Sequence, residues 1–209
     1  TKRIRVLIPE NSSILILCVG RSGSTALTSS FHKSFKIYQE PLNHEAFRYN
    51  KMLEKNKNLN HKDFLRIIQN KNIVVKLGML ARPFDYEPKG EIFVEEILEY
   101  FDKIILLDRK DENAQKESWG RLIGDNIENH KIRYQQKYEM IELSHKYNIK
   151  VYYYEDIFYG DTQSFFDELD LDTKYIDLRY LDKKYKYRDG EIYFNEELES
   201  DTKTYKNLL

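Results

Sequence analysis

The sequence predicts a single α/β domain in which a mostly parallel sheet is flanked by helices. Short apolar runs alternate with helical patterns along most of the 209 residues, which is typical of βαβ units. Glycine and proline are scarce, with 8 and 4 residues, so nothing marks a boundary between two domains. We therefore expect residues 1–209 to form one domain.

The first βα unit joins a buried strand to a loop that suits an anion. Ile14 to Val19 form an apolar run that stops at Gly20, and a helical pattern begins near Ala26. Backbone N–H groups at such a helix start favour negative charge, and an arginine adds a forked contact to phosphate oxygens. The segment predicts a phosphate-binding loop, and the alternative is a polar turn without a ligand. The loop residues are Arg21, Ser22, Gly23, Ser24 and Thr25.

Further strands and helices alternate along the rest of the chain. In an open α/β sheet the ligand lies beyond the carboxyl ends of the strands, so polar residues just after each strand are candidates for a site. Strands are predicted at 36–38, 73–77, 103–107 and 150–154, and helices at 43–55, 62–70, 93–101, 114–122, 134–145, 161–168 and 195–209. The polar strand-end residues are Arg21 to Thr25, Glu40, Lys76 to Gly78, Asp108 to Asp111, Glu155 and Asp156.

Charge and cysteine content limit the functional classes. With 34 basic and 35 acidic residues the net charge is −1, so there is no overall electrostatic reason to bind nucleic acid or a membrane surface. No apolar run is long enough for a membrane span, and no signal-peptide pattern is present. Cys18 is the one cysteine and the five histidines are scattered, so neither a disulfide nor a metal site is predicted. A cytoplasmic protein is expected, and its oligomeric state cannot be read from the sequence.

The loop lacks the lysine that precedes Ser/Thr in the Walker A motif, which argues against an ordinary kinase or ATPase. The string Arg21-Ser22-Gly23-Ser24-Thr25 after an apolar strand resembles the 5′-phosphosulfate-binding loop of sulfotransferases. Those enzymes use 3′-phosphoadenosine 5′-phosphosulfate (PAPS) as donor. The resemblance implies a P-loop-like sulfotransferase fold and PAPS as co-substrate, with adenosine 3′,5′-bisphosphate as product.

Five motifs in the same order resemble those of the bacterial carbohydrate sulfotransferases of the trehalose type. They span residues 13–156 and begin with the loop itself. The resemblance implies that Glu40 is the general base and that a basic residue together with Ser118 binds the 3′-phosphate. The other four motifs are Gln39-Glu40-Pro41, Val75-Lys76-Leu77, Arg109-Lys110-Asp111 with Ala114-Gln115 and Ser118, and the structural Tyr154-Glu155-Asp156.

Several assignments stay open at this point. The separation between Arg109 and Ser118 is one residue longer than is usual in the family, so Arg109 or Lys110 holds the 3′-phosphate. His44 is a rival base to Glu40, since cytosolic sulfotransferases resemble one another in using histidine. The basic, aromatic segment from Lys183 to Arg188 is either a solvated face or a further ligand contact.

The sequence thus predicts an enzyme that moves a sulfuryl group from PAPS to an acceptor hydroxyl by in-line transfer. Glu40 would take the acceptor's proton, while Arg21 and Lys76 would stabilise charge on the leaving phosphate. The acceptor is expected to be a carbohydrate or a small metabolite, and no metal is required. The alternatives are a small-molecule phosphotransferase with a degenerate P-loop and a non-catalytic nucleotide-binding module.

Overall fold

Five parallel strands form the centre of the molecule. The computed structural model describes residues 12–41, 61–79, 94–123, 127–182, 185–188 and 191–194. The strands of the sheet are β1 (Ser13–Cys18), β2 (Lys36–Gln39), β3 (Ile73–Gly78), β4 (Lys103–Asp108) and β5 (Val151–Tyr153). Their order is β2-β3-β1-β4-β5, and every neighbouring pair is parallel. The predicted α/β class and parallel sheet are confirmed.

Helices cover both faces of this sheet. The central strand β1 is buried along its whole length, as expected of a parallel strand with packed helices on both sides. Leu15 and Leu17 pack with Phe64 on one face, while Ile16 packs with Phe31 on the other. The helices are α1 (Ser24–Ser30), α2 (His61–Ile68), α3 (Val94–Ile97), α4 (Glu112–Ile123), α5 (Ile127–Tyr147), α6 (Tyr154–Phe158) and α7 (Thr162–Glu168).

The strand order creates a topological switch point beside β1. From β1 the chain runs to the edge strand β2, returns through β3, and then crosses to β4 and β5 on the other side. The segments that follow β1 and β4 therefore leave the sheet in opposite directions. Open α/β sheets bind ligands at such a point, beyond the carboxyl ends of the strands. Residues 19–23 follow β1 and residues 109–111 follow β4.

Some elements differ from those predicted. The last strand ends at Tyr153, and α6 begins at Tyr154, so the Tyr154-Glu155-Asp156 motif forms the first turn of a helix. The residues that mark α5 in the sequence, among them Tyr134 and Tyr138, lie exposed and do not form its packed face. Part of the basic segment forms a separate antiparallel hairpin of β6 (Tyr185–Arg188) and β7 (Glu191–Phe194).

Two predicted helices, at 43–55 and 195–209, lie outside the described residues. None of the helices that the structure describes combines the length and the apolar character of a membrane span.

Candidate functional site

The loop after β1 contains two residues with left-handed backbone conformation. Arg21 has φ 66° and Gly23 has φ 78°. Gly23 caps α1 without a side-chain hydrogen bond, and a Cβ at this position would come within 2.5 Å of the Tyr154 ring. Both the conformation and the close contact require glycine there. Ser24 and Thr25 begin α1, so the loop lies between strand and helix as predicted.

Unusual backbone conformation coincides with two predicted site residues. Among the described residues, five that are not glycine have positive φ. Asn72, Asn148 and Asp170 belong to residue types that tolerate this conformation. The other two are Arg21 and Glu40, with φ 66° and 47°. Such conformations persist where the surrounding structure fixes them, and they concentrate at functional sites.

Glu40, Lys76 and Thr25 meet at the carboxyl edge of the sheet. Lys76 Nζ donates to Glu40 Oε1 at 2.6 Å and to Thr25 Oγ1 at 3.3 Å. The backbone N–H of Glu40 donates to the Lys76 carbonyl at 2.7 Å, which fixes the base candidate beside β3. The Lys76 ammonium thus joins residues of two other motifs, Glu40 and Thr25, through its hydrogen bonds.

Burial and charge set the ionisation of this cluster. Burial lowers the pKa of Lys76, but the adjacent Glu40 carboxylate and the nearby Cys18 together raise it by more, so the net pKa lies above the ordinary 10.5. The ammonium therefore stays charged at neutral pH. Directly beneath the loop, burial raises the pKa of the Cys18 thiol, and nearby Lys76 lowers it only in part. Cys18 is a buried neutral thiol in the core.

Arg21 and Ser118 join the loop to helix α4. Arg21 Nε donates to Ser118 Oγ at 2.9 Å, across 97 positions of the sequence. The two residues come from the first and fourth motifs, which the sequence resemblance assigns to different phosphates of one nucleotide. Their contact places both motifs at the switch point beside β1.

Arg109 and Lys110 make different contacts. The Arg109 guanidinium lies 4.8 Å from the centroid of the Tyr154 ring, the same ring that approaches Gly23. Its Nε is 3.5 Å from Glu155 Oε1, but it is buried and lacks hydrogen-bond geometry. Lys110 is exposed, and its Nζ pairs with Asp156 Oδ1 at 2.5 Å. Of these two basic residues, Arg109 is therefore the one next to the loop, because the Tyr154 ring contacts both Arg109 and Gly23.

Glu155 supports the segment that follows β4. Its two carboxylate oxygens accept hydrogen bonds from the backbone N–H groups of Lys110 at 2.8 Å and Asp111 at 3.1 Å. Burial raises the pKa of Glu155, but these N–H groups, its own N–H and the Arg109 guanidinium together lower it by more, so the net pKa falls below the ordinary 4.5. These bonds agree with the structural role predicted for Glu155.

Two glutamines hold the peptide groups at the start of the loop. Gln115 Nε2 donates to the Gly20 carbonyl at 3.1 Å, and the Gly20 N–H donates to Gln136 Oε1 at 3.2 Å. The Trp119 indole packs against Gly20 so closely that a methyl group there would overlap the ring. The first peptide of the loop is thus fixed by α4 and α5 together.

Residues of α5 complete a polar network behind these glutamines, and the sequence had not indicated them. Lys137 Nζ lies 3.1 Å from Asp108 Oδ2 and donates to the Arg109 carbonyl at 3.4 Å. Gln115 Nε2 also donates to Asp108 Oδ1 at 3.2 Å, and Arg133 lies fully buried beside it. No local pattern indicated this network, because its α5 residues lie next to tyrosines whose spacing suggested the packed face.

The Ser22 hydroxyl is fully buried, and no described oxygen or nitrogen forms a hydrogen bond with it. Its neighbour is the Cys18 thiol, and sulfur is only a weak hydrogen-bond partner. A buried hydroxyl without a good acceptor or donor is uncommon in folded proteins, and a bound ligand is one of the ways in which such a group is satisfied.

Other candidates fall outside what the structure describes. His44, Lys183 and Lys184 are not among the described residues, and the side chains of the β6–β7 hairpin are likewise undescribed. Within the described ranges, no three histidine, cysteine, aspartate or glutamate side chains group as metal ligands.

The chain matches no protein-family model and no curated protein sequence. The function of the site is therefore inferred from its own residues.

Proposed function

We propose that this protein is a PAPS-dependent sulfotransferase that acts on a hydroxyl of a carbohydrate or small metabolite. The observation that carries the proposal is the Lys76 ammonium, which hydrogen-bonds both to Glu40 and to Thr25 of the loop. A base for the acceptor and a cation for the donor are thereby adjacent. The five ordered motifs and the strained backbone at Arg21 and Glu40 support the same interpretation.

The donor would bind through the loop between β1 and α1. Ser22 offers a buried hydroxyl that no described oxygen or nitrogen satisfies, and Gly23 provides the left-handed turn that leads into α1. Arg21 in the loop and Lys76 beside Thr25 supply positive charge. These groups fit a phosphosulfate, because charge-assisted hydrogen bonds to anionic oxygens are among the strongest in proteins.

The residues of the cluster have distinct roles in the proposed reaction. PAPS supplies the sulfuryl group: a bond forms between the acceptor oxygen and sulfur as the bond from sulfur to the 5′-phosphate oxygen breaks. Glu40 takes the proton of the acceptor hydroxyl. Lys76 and Arg21 stabilise the charge that develops on the phosphate oxygen, and their fixed positions avoid a reorganisation cost during the reaction.

The second phosphate of the nucleotide would lie near Ser118 and Arg109. Ser118 already contacts Arg21, and the Arg109 guanidinium is next to the loop through the Tyr154 ring. Lys110 is the weaker candidate, because its ammonium is paired with Asp156 on the surface. A planar guanidinium is also better suited than an ammonium to a bidentate contact with phosphate.

A transfer assay together with a binding assay tests the proposal. The protein is mixed with PAPS and a panel of sugar and small-molecule hydroxyl acceptors, and release of adenosine 3′,5′-bisphosphate is measured. We expect acceptor-dependent release that is lost in Arg21→Met, with Arg66→Met on the exposed face of α2 as the matched control. Binding of the bisphosphate without transfer to any acceptor would favour the non-catalytic module instead.

One observation favours a second candidate, a small-molecule phosphotransferase. The loop has no lysine of its own, but Lys76 brings an ammonium to within 3.3 Å of Thr25 Oγ1 and so supplies a cation from β3. Such a cation would serve a nucleoside triphosphate as well as a phosphosulfate. Turnover of ATP that depends on Mg²⁺, combined with no use of PAPS, would establish this alternative and exclude the sulfotransferase.

A further inference from the structure

The outer side of α5 carries a stripe of large apolar side chains. Ile127, Tyr134, Tyr138 and Ile141 are 77%, 55%, 61% and 51% exposed, so no element that the structure describes covers them. They are separated by seven, four and three residues, which aligns them along one side of the helix. The stripe lies on α5, a helix of 21 residues that is about 30 Å long.

The packing of α5 against the described part of the domain uses its other side. The inward side of α5 carries the buried Gln136, Met140 and Leu143, and Met140 and Leu143 belong to the core. Contiguous exposed apolar surface of this kind marks an interaction site. Tyrosine is enriched in protein interfaces, since its ring is apolar and its hydroxyl tolerates water.

Two charged residues flank the stripe in a way that suits a second copy of the same helix. Lys131 and Glu142 are eleven residues apart, about three turns, and therefore lie on the same side of α5. The midpoint between them falls between Tyr134 and Tyr138. When two such helices pack antiparallel about a two-fold axis at that midpoint, each Lys131 lies beside Glu142 of the partner subunit.

We propose that this stripe, Ile127, Tyr134, Tyr138 and Ile141, is a self-association surface through which two copies of the chain pair their α5 helices antiparallel. The interface is isologous, so Tyr134, Tyr138 and Ile141 interleave with the same three residues of the partner subunit, and the Lys131–Glu142 contact forms twice. Antiparallel pairing also sets the two helix dipoles in opposite directions, which is favourable. An anionic lipid surface fits less well, because acidic and basic groups both flank the stripe.

Sedimentation equilibrium over a range of protein concentrations tests the pairing. The wild-type chain should form a reversible dimer, and Tyr138→Asp should raise its dissociation constant about tenfold or more, because it places a charge at the centre of the apolar stripe. Lys131→Glu and Glu142→Lys should each weaken the dimer as well, since each sets two pairs of like charges across the axis.

The double variant with both charges exchanged decides whether the partner is a second copy. It should restore the wild-type dissociation constant to within about threefold, because both charge pairs are attractive again. Lys62→Glu, an exposed lysine on α2, is the matched control, and circular dichroism checks that every variant is folded. A wild-type chain that stays monomeric, a dimer that none of these variants weakens, or a charge exchange that fails to rescue would each overturn the proposal.

Discussion

The Lys76 ammonium and the Glu40 carboxylate form a 2.6 Å ion pair at the carboxyl ends of two adjacent parallel strands. Lys76 is nearly buried, whereas about a quarter of the Glu40 side chain is exposed. The carboxylate is thus held by a fixed cation while one side of it remains accessible to solvent, the arrangement that a base needs in order to meet an acceptor.

Glu40→Gln should lower kcat for sulfuryl transfer by about 10²–10⁴-fold, the usual contribution of a general base. The amide keeps the size of the side chain and still accepts a hydrogen bond from Lys76, so binding of adenosine 3′,5′-bisphosphate should change little. Steady-state kinetics and calorimetry measure the two effects separately. Glu99→Gln, an exposed glutamate far along the chain, is the control. Activity of Glu40→Gln close to wild type would remove Glu40 as the base.

A double-mutant cycle measures how strongly Lys76 and Glu40 are coupled. Lys76→Met should destabilise the fold by about 2 kcal/mol, less than for a fully buried pair, because the Glu40 carboxylate left behind is partly solvated. The double variant Lys76→Met/Glu40→Gln should be more stable than the sum of the single changes predicts, by about 1 kcal/mol. Urea unfolding gives all three values. Strict additivity would show that the ion pair does not contribute to the free energy of unfolding.

The main elements of the fold could be predicted from the sequence, because its local patterns agree with the tertiary structure. The run from Ile14 to Val19 is apolar at every position, as a strand buried on both faces requires. Because ligands bind beyond the carboxyl ends of the strands, the sequence indicated both Glu40 and Lys76 as site candidates, and the structure brings them into contact. The parallel register that joins Gln39 to Lys76 was not visible in either segment alone.

The inward face of α5 could not be predicted, because the usual relation between apolar pattern and burial is reversed there. Tyr134 and Tyr138 lie outward, while Arg133 and Gln136 are buried behind the loop. Their burial depends on partners in α4 and at Gly20 that lie far away in the sequence. Nor does glutamate favour left-handed backbone, so nothing local indicated the conformation of Glu40.

Gly20→Ala should destabilise the protein by about 1–3 kcal/mol, because the new methyl group would overlap the Trp119 ring. Gly78→Ala is a matched control: it lies at the end of another strand, and its Cβ would meet no atom within 4 Å. Thermal unfolding of both variants gives the comparison. If the two alanines lower the melting temperature equally, the close packing of Trp119 on Gly20 is not what restricts this position.

Glu155→Gln should lower stability in a pH-dependent way. The native carboxylate accepts backbone hydrogen bonds from Lys110 and Asp111, and its pKa is below the ordinary 4.5, so folding is favoured by its ionised form. The stability difference between wild type and variant should be about 1–2 kcal/mol above that ordinary pKa. It should disappear as the pH falls through the lower native pKa. A difference that stays constant from pH 3 to pH 7 would contradict this role.

The central claim is that one site binds a nucleotide through phosphates at both its 5′ and 3′ positions. Calorimetry with two ligands tests this claim most directly. Adenosine 3′,5′-bisphosphate should bind about a hundredfold more tightly than AMP, since the 3′-phosphate adds charge-assisted hydrogen bonds worth about 1.5–3 kcal/mol. Arg109→Met should remove most of that ratio, and Lys110→Met should leave it nearly unchanged. Equal affinity of the wild-type protein for the two ligands, or no binding of the bisphosphate, would contradict the account.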